Sequence, residues 1–291
     1  MKVVLFLLLL LLVATASAQP PSRQMLTREQ LDELLDKNDC ANFPEVKVCK
    51  YDFVFAGKNV EALTFLPTGN GPFPGLLLIP GHERTARDQI LGGNAYARAG
   101  FACVAVSQPG YGKSEGPADF VGPKTIKTLL AVYQKFQRES FVDAKRMGIY
   151  GYSRGGMAAS LLAVSQLEGL RGVVLGAGVY DFKKAYDELT IEGIRENMKA
   201  ETGLTPEAIK LRSSVLQMEK LNCPVLILHG EKDANVPVSQ ALLLRDRLTA
   251  LKKTFEIKLY PDKDHGLDAR EVIAMSQDFL QRHVLGEAPK K

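Results

Sequence analysis

The feature that most constrains this chain lies near its middle, in residues 147–160, MGIYGYSRGGMAAS. An apolar run stops at Gly151-Tyr152-Ser153-Arg154-Gly155, and a small-residue, helix-forming run begins at once. Gly-x-Ser-x-Gly between a strand and a helix is the sequence form of a serine held on a sharp turn. On such a turn the hydroxyl stands clear of the sheet, and crowding leaves room only for glycine on either side of the serine triplet. A chain rich in Gly and Ser shows the pattern by chance, so its meaning depends on what surrounds it.

The surroundings supply a frame. Residues 75–80 (GLLLIP) are apolar throughout, as expected of a strand covered on both faces. Further strands are predicted at 101–107, 146–150, 171–176, 224–228 and 255–260. Helices fall between them, near 88–98, 124–138, after Ser153, 239–251 and 269–283. This alternation predicts an α/β fold, a mostly parallel, doubly wound sheet with helices on both faces. Two alternating segments, 46–55 and 60–67, read as an antiparallel pair ahead of it. Thr27-x-x-Gln30 is a capping box that opens a helix through Lys37, with Leu31, Leu34 and Leu35 on one face. Residues 19–50 are therefore expected to form an N-terminal helical appendage, and 51–286 the catalytic domain. One stretch breaks the rhythm. Residues 180–218 form a charged insertion with helical pieces at 196–201 and 207–216, read either as surface decoration or as a lid over the strand C-termini.

The N-terminus reads differently from the rest. Lys2, an unbroken apolar run over 3–13 and Ala16-Ser17-Ala18 make residues 1–18 a secretory signal peptide, too short in its apolar core to span a bilayer comfortably. The mature chain would begin at Gln19 and be secreted or periplasmic, with no membrane attachment after cleavage. Export makes Cys40 and Cys49, nine positions apart, a candidate disulfide. Cys103 and Cys223 read as buried small hydrophobes. The formal net charge of +4 is spread along the chain, which argues against a nucleic-acid partner.

A serine hydroxyl needs a base, and the base needs an orienting carboxylate. His265 lies in a polar turn directly after the 255–260 strand, on the edge where Ser153 emerges. His229 reads as a strand-end residue bonded to the backbone, and His283 as a surface residue. Asp233 follows the 224–228 strand, so Ser153, Asp233 and His265 run in the order expected of a nucleophile–acid–base set on successive strand ends. Glu231 and Asp264 stay open as competing acids. For the oxyanion, the backbone N–H groups of Arg154 and His82 are expected donors, with Glu83 as the alternative to His82, since Pro80 has no N–H. Tyr111, Tyr152 and Tyr180 are candidate substrate-pocket residues. A strand continued through His229, Glu231 and Asp233 would put the three on one side, as metal ligands need, but the acid already has a role, so no metal and no cofactor are expected.

With the triad order added, the chain resembles the α/β-hydrolase superfamily. GYSRGG, NCPVLILHGEKDANVP and YPDKDHG further resemble the prolyl oligopeptidase catalytic domain and its dienelactone hydrolase and acetyl xylan esterase relatives, over residues 51–283. The resemblance implies Ser153 as nucleophile, His265 as general base and then acid, and Asp233 as the orienting residue. Two departures favour a small esterase. About thirty residues precede the hydrolase-like region after the leader, where such peptidases usually carry a β-propeller, and Pro80 stands where prolyl oligopeptidases have a tyrosine. The first expectation is thus an exported serine hydrolase cleaving carboxylic esters of small molecules through an acyl-enzyme. The alternatives are a prolyl oligopeptidase-type aminopeptidase or acyl-peptidase taking short peptides, and a catalytically silent binding module.

Overall fold

The structure, a computed structural model, describes residues 27–287. The predicted leader, residues 1–18, lies outside them. Eleven strands and nine α-helices alternate along the described chain. In order they are α1 (Arg28–Lys37), β1 (Cys40–Phe43), β2 (Val46–Lys50), the two-residue strands β3 (Val54–Phe55) and β4 (Lys58–Asn59), β5 (Ala62–Pro67), β6 (Phe73–Ile79), α2 (Ile90–Arg98), β7 (Ala102–Val106), α3 (Pro123–Gln137), β8 (Val142–Tyr152), α4 (Arg154–Ala163) and β9 (Leu170–Gly176). The insertion follows as α5 (Phe182–Glu188), α6 (Glu192–Thr202) and α7 (Pro206–Arg212). The chain closes with β10 (Val225–Gly230), α8 (Ser239–Ala250), β11 (Phe255–Tyr260) and α9 (Ala269–Leu280).

Nine strands form one sheet in the order β1-β2-β5-β7-β6-β8-β9-β10-β11. β1, β2, β5 and β7 pair antiparallel, and every pair from β7 onward is parallel. The apolar runs of β6 and β7 are buried along almost their whole length, because helices cover both faces. Two cores result. One lies under α3, α4 and the insertion, and the other under α2, α9 and α1. After β6 the chain builds β7 on one side and then returns to place β8 on the other. That reversal puts the C-terminal ends of β6 and β8 side by side, which is where open α/β sheets bind ligands.

The N-terminal segment differs from expectation. The capping box of α1 forms, with the Gln30 N–H donating to Thr27 Oγ1 at 3.3 Å and the Thr27 N–H to Gln30 Oε1 at 2.9 Å. Leu31 and Leu35 are buried, but Leu34 turns outward. Only α1 of residues 19–50 is helical among the described residues. Cys40–Lys50 is a hairpin, β1 and β2, that makes one edge of the main sheet, with Cys40 directly opposite Cys49 and joined to it by a disulfide. The sequence hid β1 because four residues ending in Asn-Phe before a Pro-Glu turn carry no usable alternation. The 46–55 strand likewise stops at Lys50. Cys103 and Cys223 are buried free thiols.

Candidate active site

Ser153 follows β8 directly and caps α4 at φ 55° and ψ −121°, a backbone conformation that L-residues avoid. The neighbouring glycines show why the chain accepts it. A Cβ on Gly151 would lie 2.1 Å from the Gly155 carbonyl oxygen, and one on Gly155 would lie 2.0 Å from that of Ile79. No side chain fits at either place, so the spacing of the motif is a statement about sterics. The Ser153 N–H donates to the Gly176 carbonyl at 2.7 Å and ties the turn to β9.

His265 stands in the loop between β11 and α9, and its Nε2 is 2.9 Å from Ser153 Oγ. Its Nδ1 is 2.7 Å from Asp233 Oδ2. Asp233 sits just past β10 with a fully buried side chain. Its Oδ1 accepts the N–H groups of Asn235 and Val236 at 2.9 and 2.8 Å. Burial alone would push this carboxyl up. The bonds from His229, His265 and the Val236 N–H outweigh it and hold Asp233 well below the usual carboxylate range. Asp233 is therefore ionised and able to fix the tautomer of His265. Neither competing acid bonds to His265 among the described residues. Glu231 is exposed, and Asp264 Oδ1 accepts the Gly266 N–H at 2.8 Å.

His229 bonds to the backbone as its position suggested, through Nε2 to the Val236 carbonyl at 2.8 Å. It also stands 3.4 Å from Asp233 Oδ2, a contact signalled in the sequence only by the four-residue spacing of the two. Tyr152 lines the cleft and also braces the base. Its hydroxyl donates to the His265 carbonyl at 2.5 Å and accepts the Leu267 N–H at 3.4 Å. Burial raises its pKa to about 12, so it remains a donor.

On the other side of Ser153, the N–H groups of Arg154 and His82 donate no hydrogen bond among the described residues. Gly81 brings that loop against the nucleophile, since a Cβ there would lie 3.4 Å from Ser153 Cβ. The His82 ring is held from both ends, Nδ1 by the Tyr111 hydroxyl at 3.2 Å and Arg154 Nη1 at 3.3 Å, and Nε2 by Asn197 at 3.4 Å. Burial first, and the Arg154 charge next, lower its pKa.

The Arg154 guanidinium is buried and stacks on the rings of Tyr111 and Phe120 at 4.7 and 4.8 Å. It donates to Glu201 Oε2 at 3.1 Å and to the Tyr111 hydroxyl. Glu201 also accepts the Phe120 N–H at 2.5 Å. Helix α6 of the insertion is thus tied to the residue that follows the nucleophile. Sequence reading missed Glu201 because its partners are 47 and 81 positions away. Two of the candidate pocket tyrosines are placed elsewhere. Tyr111 stands behind the oxyanion loop as a partner of Arg154 and His82. Tyr180 is wholly buried in the core, its ring against Gly178 where the chain leaves β9.

The site opens into a cleft of about 910 Å³ that straddles the C-terminal edge of the sheet. One arm runs under the insertion, against Phe120, Met157, Val179, Leu189, Met198 and Val236, all from the first core or its rim. The other runs between α2 and α9, against Tyr96, Tyr150, Leu267 and Val272 from the second core. The carboxylates on its wall, Asp88 and Asp264, are both on the α2–α9 side. Among the described residues no His, Cys, Asp and Glu cluster is arranged to hold a metal ion.

Comparison with known proteins gives a family by sequence and a wider set of hydrolases by fold, acetyl xylan esterase 1 from Thermoanaerobacterium among them, with a TM-score of 0.63 at 18% identity over 82% of this chain and 84% of that one. The Prolyl oligopeptidase family profile matches residues 96–287. The Bacillus subtilis protein named uncharacterized peptidase YtmA is 29% identical over 221 residues, which cover 74% of this chain and 84% of that protein. Dipeptidyl-peptidase 5 of Porphyromonas endodontalis is 27% identical over 165 residues, covering 54% of this chain and only 24% of that protein. In three dimensions the chain is similar to acylaminoacyl peptidase of Pyrococcus horikoshii, with a TM-score of 0.72 at 17% identity over 89% of this chain and 44% of that one. The matched region runs from α2 past α9 and takes in Ser153, Asp233 and His265 together. On that match, and with the α/β-hydrolase sheet that carries it, the chain belongs to the prolyl oligopeptidase family.

Proposed function

We propose that this chain is a serine peptidase that cleaves short peptides on the carboxyl side of an uncharged residue whose own nitrogen is acylated. The observation that carries this is the hydrogen-bonded line from Ser153 through His265 to Asp233 at 2.9 and 2.7 Å, set at the junction of the two cleft arms. Ser153 Oγ attacks the amide carbon as its proton passes to His265 Nε2, and the oxyanion faces the N–H groups of Arg154 and His82. The C–N bond then breaks as His265 gives that proton to the leaving nitrogen. Water, deprotonated by His265, releases the acid from Ser153.

The leaving nitrogen must face His265, so the acyl portion faces the insertion arm. That arm is apolar, and the one cation on it among the described residues, Arg154, is paired with Glu201. Among the described residues no carboxylate lines it to hold a free ammonium, which supports a neutral, blocked acyl group. Relatives named as peptidases support amide cleavage, and the esterase expectation yields to the peptidase alternative held beside it. Export is proposed from residues 1–18 with the Cys40–Cys49 bridge in support, and a mature N-terminus at Gln19 in secreted material checks it.

The test pairs N-acyl-aminoacyl and free aminoacyl p-nitroanilides with short p-nitrophenyl esters, and uses Ser153→Ala as the blank. Turnover of the acylated anilide by wild type alone, with fluorophosphonate labelling of Ser153, is expected. Ester turnover without any anilide turnover restores the esterase, and silence on every substrate and label leaves a binding module.

A further inference from the structure

The acyl side of the cleft has an occupant in the proposed reaction; the α2–α9 side has none assigned. We infer that this second arm is a binding site for the side chain of the leaving residue, and that it selects a large apolar or aromatic one. The inference rests on the proposed peptidase reading. Three observations carry it.

The first is direction. His265 Nε2 is the group that must reach the leaving nitrogen, and the chain running on from His265 through Gly266 and Leu267 into α9 is itself a wall of the arm. A leaving residue within reach of that proton therefore lies at the mouth of this arm.

The second is the lining. Leu91, Tyr96, Tyr150, Leu267, Val272 and Ile273 present an apolar, partly aromatic surface. Gly92 keeps the α2 wall open, because nothing but the Tyr96 ring, at 3.5 and 3.9 Å, lies within contact distance of a Cβ placed there. The two walls are tied to each other, for Gln277 Nε2 on α9 donates to the Ala95 carbonyl on α2 at 2.9 Å. Of the two carboxylates on the arm's wall, Asp264 Oδ1 accepts the Gly266 N–H at 2.8 Å, and Asp88 has cationic partners. Asp88 is paired with Arg28 at 2.6 Å and with Arg84 at 3.5 Å.

The third is a buried donor without a partner. Tyr96 is 1% exposed, and its hydroxyl makes no hydrogen bond among the described residues. Its polar neighbour is the Ser276 hydroxyl, which donates to the Val272 carbonyl at 2.6 Å. Folded proteins leave few such groups, and a partner from outside the chain is one way to complete them.

The experiment fixes the acyl group and varies the leaving group. N-acetyl-leucyl-X-amide is cleaved with X as Ala, Leu or Phe, and N-acetyl-leucine methyl ester reports on the acyl side alone, since methanol is too small to fill the arm. Wild type is expected to show kcat/KM at least about tenfold higher for Phe than for Ala, the discrimination a hydrophobic pocket gives for a few methylenes. Gly92→Leu, which fills the arm and suits a helix better than glycine, should erase that gap and leave methyl ester turnover within about twofold. Equal rates for Ala and Phe in wild type, or a gap that survives Gly92→Leu, overturn the inference. Should the ester turn over and no peptide be cleaved, the peptidase reading falls instead. Calorimetry with phenylalanine amide then decides the arm: binding to wild type that Gly92→Leu weakens supports it, and no binding overturns it.

Discussion

Two carboxylates flank Ser153, and they hold the site in different ways. Asp233 keeps its bonds close at hand. His229, Asn235 and Val236 are all within four positions, and His265 alone comes from afar. Glu201 has only distant partners, Arg154 and Phe120, and through them it anchors a helix that belongs to the insertion rather than to the sheet. Asp233 lies in a pocket closed on all sides, whereas the Glu201 side chain keeps 17% of its exposure. The first arrangement sets the state of a base, while the second sets the position of a wall. In the proposed reaction the same chemical group would serve the base on one side of the serine and the acyl arm on the other.

The sharpest way to break that contrast is Asp233→Asn. It should lower kcat by about three to four orders of magnitude with KM little changed, because the amide favours the wrong imidazole tautomer. A loss below tenfold would move the orienting role to another acid, and Glu231→Gln, expected near wild type, is the control. The same variant carries a pH signature. Asp233 is depressed when folded, so its stabilisation is full above its unfolded value near 3.8 and is lost as pH falls toward the folded one. The melting-temperature gap between wild type and Asp233→Asn should hold steady above about pH 5 and narrow below 3.8.

Glu201→Gln probes the other side and should do less. It leaves the Arg154 charge buried and poorly answered beside an apolar arm, so KM for the blocked substrate should rise about tenfold while kcat changes by no more than a few-fold. A kcat loss as large as that of Asp233→Asn would show that the insertion sets the reaction itself and would dissolve the contrast drawn here.

The same contrast explains what could be read in advance. The sheet, the serine turn, Asp233 and His265 were legible because each is written in contiguous residues: apolar runs, a glycine spacing, a strand followed by a polar turn. β1 was not, being too short and irregular to show alternation and defined by its pairing with β2. Glu201 and the burial of Tyr180 were not, because both depend on which distant segments the fold brings together. Tyr152 was seen as a neighbour of the nucleophile, yet its hydroxyl contact with the His265 carbonyl spans 113 positions.

The backbone of Ser153 carries one more consequence. A non-glycine residue held at φ 55° costs on the order of 1–3 kcal/mol, and glycine in its place would relieve most of that. The hydroxyl returns one hydrogen bond, to His265 Nε2 at 2.9 Å, which offsets only part of that cost. Ser153→Gly should therefore melt higher than wild type while losing the hydroxyl that faces His265, so at this one position stability and the proposed chemistry pull in opposite directions.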